Sequence, residues 1–398
     1  MTAPIRPILF TAFEPSGDAL AAPVIAELRR RRPDRPVLAL GGPAMAAAGA
    51  TLLESTTDHP VMLAGAVAQA LAHRRRVQRL RAHLRQHPLA ALVPVDSPAA
   101  NWAICNLVRQ DHPAARIVHL VAPQVWAWAA WRVRKLRRLT DRVLCLLPFE
   151  VAWLAQHHVP AAFVGHPLFQ AIADKLAARQ IQPLQLTTPG PTDAGPRLAL
   201  LPGSRRAEIT ANWPTMLAAC RDLQAKHPGL TAAVAALNPA LAHLLQRTAP
   251  LTAADRITVH LDRVDDVLQW STAALVVSGT ATLHVAVHRK PMVVLYRVNP
   301  LSWHAVGRWI VHTRTFALPN LIASTWDGSP TRPTRHVVPE FVPHLGPPGP
   351  IAAALDRLFT DPAAAAEQQA LFDRIHTAFA DTAFAPTAAD AILDMLPA

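Results

Sequence analysis

Short apolar runs recur along the first half of the chain, each broken by small or polar residues and followed by a helical stretch. Residues 8–13, 37–40, 91–95, 117–120 and 143–147 read as buried strands, and residues 19–31 and 44–48 as helices. Such strand–loop–helix alternation predicts an α/β unit built on a parallel sheet. Residues 178–196 carry Gln, Thr, Pro and Gly without periodicity and read as a connection. The alternation then resumes, with strands over 198–201, 231–236, 257–260, 273–277 and 292–296 and a helix over 217–226. Residues 318–321 and 338–341 read as loops, and 351–396 as helices. Two α/β halves joined by one connection imply a cleft between them. In such folds ligands sit beyond the carboxyl ends of the strands, so the residues that end each run are the ones to inspect.

Three strand ends carry candidate chemistry. The run over 198–201 stops at Pro202, Gly203 and Ser204, and Arg205, Arg206 and Glu208 open a helix. A strand that turns through small residues into a helix presents backbone N–H groups to an anion. An arginine fork matches phosphate oxygens. A phosphate site and an ordinary turn with solvated arginines both fit this stretch alone. Asp96 ends the run over 91–95, where it suits a catalytic carboxylate or the N-cap of the next helix. The run over 273–277 leads into Ser278, Gly279 and Thr280.

Composition narrows the classes. The 398 residues are 51% hydrophobic and 17% charged, a globular balance with room for two domains. A formal net charge of +12 favours an acidic partner: nucleotide, nucleic acid or anionic lipid. Cys105, Cys145 and Cys220 lack metal spacing, which suggests a reducing compartment, and no metal-ligand cluster stands out among the 19 His. Signal-peptide layout and membrane-spanning runs are both missing, so a soluble or peripheral cytoplasmic protein is expected. Residues 61–72 are apolar and 73–85 densely basic; they fit a core helix followed by a solvated one, or an amphipathic face on an anionic membrane. Trp126 and Trp128, ahead of the basic residues 132–138, fit base stacking, membrane anchoring or packing.

In order along the chain, Glu14 with Ser16-Gly17-Asp18, Gly42-Pro43, Asp96 and Pro98, Val125-Trp126-Ala127-Trp128 with Arg132, and Pro148-Phe149-Glu150 form one series with Gly165-His166. Pro202-Gly203-Ser204-Arg205 with Glu208, Ser278-Gly279-Thr280, Leu318-Pro319-Asn320-Leu321 and Pro339-Glu340-Phe341 continue it. Jointly these resemble the lipid-A-disaccharide synthases, over roughly residues 8–345. The resemblance implies an inverting glycosyltransferase of the GT-B type, with two Rossmann-like domains facing a cleft. Domains are then expected at 1–180, for the acceptor, and 197–345, for the nucleotide sugar, with helices over 351–398 packing back toward the first. The implied reaction joins UDP-2,3-diacylglucosamine to 2,3-diacylglucosamine 1-phosphate through a β-1,6 bond and releases UDP, with no metal or other cofactor. Asp96 matches the family's essential Asp and Arg205 its essential Arg. Substrate contacts are expected from Glu14, Ser16, Gly17, Asp18, Trp128, Gly203, Ser204, Ser278, Gly279, Thr280, His284, Asn320 and Glu340. The implied place is the inner face of the inner membrane, on an anionic lipid surface, with no nucleic-acid partner.

Departures from the pattern are specific. Four positions beyond Thr280, where the family carries a Glu for the ribose hydroxyls, stands His284. It is expected in the first turn of the helix, neutral and beside the ribose. After Pro98 the residues are Ala99-Ala100-Asn101 in place of Asp-Phe-Asn, and Val61-Met62-Leu63 replaces Val-Met-Gly. A related enzyme with another nucleotide sugar or acceptor would show such changes, and a non-catalytic binding relative would keep the scaffold. The joint retention of Asp96, Arg205 and Asn320 favours the transferase.

Overall fold

A computed structural model describes residues 5–57, 66–178, 180–181, 184, 195–298, 313–326, 331 and 333–396. Residues 61–63 and most of the expected connection lie outside the described residues. The chain divides into two compact units, Met1–Pro167 with Thr382–Ala398, and Leu168–Asp381.

The first unit holds seven parallel strands: β1 (Ile8–Thr11), β2 (Val37–Gly41), β3 (Thr51–Ser55), β4 (Ala91–Pro94), β5 (Arg116–Leu120), β6 (Arg142–Cys145) and β7 (Ala161–Phe163). Their order is β3-β2-β1-β4-β5-β6-β7. The winding therefore reverses between β1 and β4, the crevice position at which α/β sheets bind ligands. Leu9, Leu92 and Ile117 pack with Leu84 and Ile104 in one core cluster. The helix Phe384–Leu393 packs on the helix Pro15–Arg31, where Asp390 pairs with Arg31.

The second unit repeats the logic with β8 (Arg197–Leu201), β9 (Thr231–Ala236), β10 (Ile257–Leu261), β11 (Ala273–Val277), β12 (Met292–Arg297) and β13 (Glu340–His344), in the order β10-β9-β8-β11-β12-β13. Here the reversal falls between β8 and β11. The core includes Trp213, fully buried on the helix Arg206–Lys226, whose indole N–H donates to the Ala249 carbonyl at 2.9 Å.

Three expectations need correction. Residues 318–321 lie in the helix Leu318–Ala323, and 340–341 belong to β13, an edge strand too irregular for period-two alternation to reveal. Residues 66–72 are no separate core helix. A single helix, Ala66–Gln86, runs through the basic segment; Leu71 is exposed, and its buried anchors are Leu80 and Leu84. Arg76 and Arg79 of that helix both reach Glu54 on β3. No described helix is long and apolar enough to cross a membrane.

Candidate active site

Asp96 follows β4 at the reversal point of the first sheet. Its main-chain N–H donates to the Leu120 carbonyl at 3.0 Å, which ties the turn to β5. Asp96 and Ser97 both adopt left-handed backbone, with φ of +44° and +32°. Two such residues in succession carry strain that surrounding contacts must hold. Asn101, fully buried in the helix Pro98–Asp111, supplies those contacts through its amide, which donates to the carbonyls of Val95 and Asp96. Asp96 is thus presented by its turn, and the N-cap position of the helix falls to Ser97.

Glu14 ends the loop after β1, beside Asp96. The Ser97 hydroxyl donates to its carboxylate at 3.2 Å. Burial pushes the Asp96 carboxyl up from its ordinary value, the Ser97 backbone opposes that, and the Glu14 charge adds to it. Ser16 is exposed at the start of the next helix. Gly17 is required by contact: a Cβ there would lie 3.2 Å from Ala12 Cβ and 3.7 Å from Val95, so the glycine lets the helix approach the strand that carries Asp96. Asp18 has a different task from the substrate contact expected of it. Its carboxylate is buried and accepts from the N–H groups of Gly42 (2.9 Å), Ala44 (2.9 Å) and Met45 (3.1 Å), which caps the helix Pro43–Ala47.

Further along the same edge, Glu150 is buried at the start of the helix Pro148–Gln156. Burial pushes its carboxyl up to about 8 against the donors Trp126 Nε1 and Leu147 N, and the Asp96 charge adds to the rise. Trp126 is therefore an interior residue, unavailable for membrane anchoring or base stacking. Trp128 and Trp131 are the exposed pair, and the Arg132 guanidinium lies 4.5 Å from the ring centres of both Trp128 and Trp102.

In the second unit the expected phosphate turn at 202–205 and the turn at 278–280 meet the sheet at its reversal point. Gly203 follows β8 with φ of +106°, and a Cβ there would lie 2.6 Å from Glu208 Oε2. That carboxylate accepts from the N–H groups of Ser204 (3.1 Å) and Arg205 (3.2 Å), while Arg205 Nη1 donates to its other oxygen at 2.9 Å. Of the two amides expected to face a phosphate, Gly203 and Ser204, that of Ser204 is therefore held by Glu208, which occupies the anion position at this helix end. The Arg205 side chain is 79% exposed beyond it. Gly279 follows β11 as the N-cap of the helix Thr280–Val287, with φ of +139° and nothing within 4 Å of a Cβ placed there. Gly279 and Thr280 are exposed, so this second turn is the more open of the two. Ser278 donates its hydroxyl to the Phe316 carbonyl at 3.2 Å.

Asn320 and Glu340 act on the adjoining loop and not as free ligand contacts. Asn320 is fully buried; its amide donates to Val338 O and Glu340, and its carbonyl accepts from the N–H groups of Val337 and Val338. Glu340 accepts from Phe316 N at 2.7 Å, and burial raises its carboxyl. Together they fix the segment that Ser278 touches.

His284 also departs from expectation. It lies beyond the first helical turn, and its Nε2 meets Asp265 Oδ1 at 2.6 Å. His288 Nε2 reaches the same oxygen at 3.0 Å, and Lys175 Nζ lies 2.7 Å from Oδ2. A cluster of metal-ligand type thus exists where linear spacing showed none, because Asp265 is contributed by the preceding helix, Val264–Trp270.

A sequence model of the family described as "Lipid-A-disaccharide synthetase" matches residues 8–355. The chain belongs to the lipid-A-disaccharide synthase family. Its relatives include the lipid-A-disaccharide synthase of Pseudomonas aeruginosa strain LESB58, 34% identical, with 98% of each chain covered. That of Geobacter sulfurreducens is 33% identical, covering 91% of this chain and 90% of the relative. Membership gives this enzyme the activity for which the family is named, a glycosyl transfer that forms the lipid A disaccharide. Among solved structures, UDP-GlcNAc 2-epimerase from Neisseria meningitidis has a TM-score of 0.61 at 13% identity, with 97% and 98% of the two chains covered. The calicheamicin glycosyltransferase gives 0.55 at 17%, covering 99% and 98%. The fold is α/β of the GT-B type.

Proposed function

We propose that the enzyme transfers the sugar of UDP-2,3-diacylglucosamine to the 6-hydroxyl of 2,3-diacylglucosamine 1-phosphate, with Asp96 as general base. The acceptor oxygen attacks the anomeric carbon, the bond from that carbon to the phosphate oxygen breaks, and UDP departs with its electrons. Asp96 takes the hydroxyl proton, and the attack inverts the anomeric centre. A sugar hydroxyl is a weak nucleophile near neutral pH, so a positioned carboxylate of raised pKa suits the step. The observation that carries this reading is the placement of Asp96 on a strained turn at the sheet reversal, with Glu14 beside it.

In this reading, Arg205 and the turn at residues 278–280 receive the diphosphate, where helix-end N–H groups and a guanidinium stabilise the leaving charge. The Gly203–Ser204 turn supports Arg205 through Glu208. Glu14, Ser16 and Trp128 lie toward the acceptor, and His284 offers its Nδ1 to one ribose hydroxyl while Nε2 serves Asp265. The exposed Leu71, Trp128 and Trp131, with the basic faces around them, meet an anionic membrane surface peripherally, where the acylated substrates reside.

Asp96→Ala tests the central role. Turnover should fall about 10²–10⁴-fold with the fold intact by circular dichroism. A folded variant with near-normal turnover would transfer the role to Glu14. For the surface, co-sedimentation with vesicles should require anionic lipid and weaken with salt; equal binding to neutral vesicles would remove the electrostatic part of the reading.

A further inference from the structure

Two histidines one helical turn apart, His284 and His288, direct their Nε2 atoms at a single oxygen of Asp265 from a neighbouring helix. The ligand atoms of the three residues lie within 4.8 Å of one another. An aspartate that merely needs neutralising is already served by Lys175 on its other oxygen. Convergence of two imidazole nitrogens on one carboxylate oxygen goes beyond that requirement. Two His at i and i+4 present their rings on one helix face, the spacing by which helices bind zinc. Two nitrogen donors and one carboxylate suit a divalent transition ion of the zinc class, at about 2.0–2.2 Å from each ligand.

The surroundings favour the same chemistry. Asp265 and His288 are buried, whereas His284 keeps partial exposure and gives an ion a way in.

We propose that Asp265, His284 and His288 form a binding site for a zinc-class divalent ion, with Lys175, on the other carboxylate oxygen, as the cation whose charge competes with it. The ion takes Asp265 Oδ1 and the two Nε2 atoms, and water completes a tetrahedron. Lys175 stays on Oδ2, the oxygen the ion leaves free, and opposes the ion by like charge across the carboxylate. Binding releases no group from the substrate, and nothing in the site depends on which sugar the enzyme takes. Because the ligand helix begins at the Gly279 turn, the ion would also clamp that turn to the helix Val264–Trp270.

The test titrates the full-length protein with Zn²⁺ against a chromophoric chelator, and with Co²⁺ while recording visible absorption. One saturable site per chain is expected, with the intense visible bands of tetrahedral Co²⁺ and a rise in Tm. His288→Gln should weaken Zn²⁺ at least about 10-fold, and His284→Gln/His288→Gln should abolish the site and its Co²⁺ bands. Lys175→Met should bind more tightly than the wild type, the opposite of what an ion-pair hub predicts. The proposal is overturned if the wild type shows no saturable site at micromolar Zn²⁺. It is equally overturned if the folded double variant keeps the stoichiometry and spectrum, or if Lys175→Met leaves binding unchanged.

Discussion

The Asn101 amide donates to the main-chain carbonyl of Asp96 at 3.0 Å, so the residue assigned as base is held through its backbone by a side chain from the following helix. The same amide reaches the Val95 carbonyl at 3.2 Å, and Asn101 Oδ1 accepts from Thr11 Oγ1 at 2.6 Å. Asn101 thereby ties β1, β4 and the left-handed turn into one unit. Asn101→Ala should cost about 1–3 kcal/mol of stability, the range for leaving buried polar groups unpaired. Turnover should fall while donor KM stays close to the wild-type value, since the loss acts on the position of Asp96. Chemical denaturation with steady-state kinetics checks both, and an unchanged kcat would show that the turn holds itself.

Gly203 and Gly279 offer an internal comparison. Both have left-handed φ, but a Cβ at Gly203 collides with Glu208 whereas one at Gly279 meets open space. Gly279→Ala should show backbone strain alone, about 1–3 kcal/mol for a side chain in this extended positive-φ region. Gly203→Ala should lose more, because it also pushes Glu208 off the Ser204 and Arg205 amides. Thermal unfolding of the pair gives the ranking. Equal losses would mean that Glu208 contributes nothing to the helix end.

Much of this was legible in the chain itself. Buried strands end abruptly, so Asp96, Gly203 and Gly279 could be placed at strand ends from the apolar runs alone. The order of the strands, which makes those ends the reversal points of two sheets, is a tertiary fact with no local signal. Side chains that reach across sequence leave no local signal. Asp18 caps a helix 24 residues away, and Asp265 meets His284 across 19. A carboxylate looks the same in a sequence whether it faces a substrate or a row of backbone amides. The position of Glu208 in the first turn is visible in the sequence, but its hold on the Ser204 amide is not. The motif around Asn320 suggests a ligand contact, and the structure shows it fully buried and bonded to the loop at Val337 and Val338.

Glu150 predicts a pH dependence of stability. Burial raises its carboxyl to about 8 in the folded chain, from an ordinary value of 4.5. Between those values the folded state binds the proton and the unfolded state releases it. Its contribution is therefore fully present below about 4.5 and is lost as pH rises through about 8. The slope approaches about 1.4 kcal/mol per pH unit for one proton. Glu150→Gln cannot ionise but has one acceptor for the two donors Trp126 Nε1 and Leu147 N, so it should flatten this part of the profile while being less stable than the wild type at pH 5. Urea melts of both proteins from pH 5 to 9 measure it, and parallel profiles would mean that Glu150 ionises in the fold at an ordinary pKa.

His284 is the position at which the resemblance and the structure pull in opposite directions. The family pattern suggests that His284→Glu should restore a ribose contact. In the structure His284 Nε2 lies 2.6 Å from Asp265 Oδ1, so the substitution sets a second carboxylate against the first. Lys175 and His288 remain to serve Asp265, but neither was placed to hold two negative charges. His284→Glu should therefore lower stability by about 1 kcal/mol or more near pH 8 and weaken UDP. Like-charge repulsion raises the folded-state pKa of the pair. The stability gained from protonation is thus fully present below the ordinary Glu value and lost as pH rises through the raised one. The deficit should shrink between pH 8 and pH 5. Exchanging the charges with His284→Asp/Asp265→His should recover more stability than either single change predicts, the signature of direct coupling. Thermal unfolding at the two pH values, with UDP titration by calorimetry, tests both parts. A His284→Glu protein as stable as the wild type at pH 8 and tighter for UDP would show that this side chain turns from Asp265 to the nucleotide, with Asp265 left to Lys175 and His288.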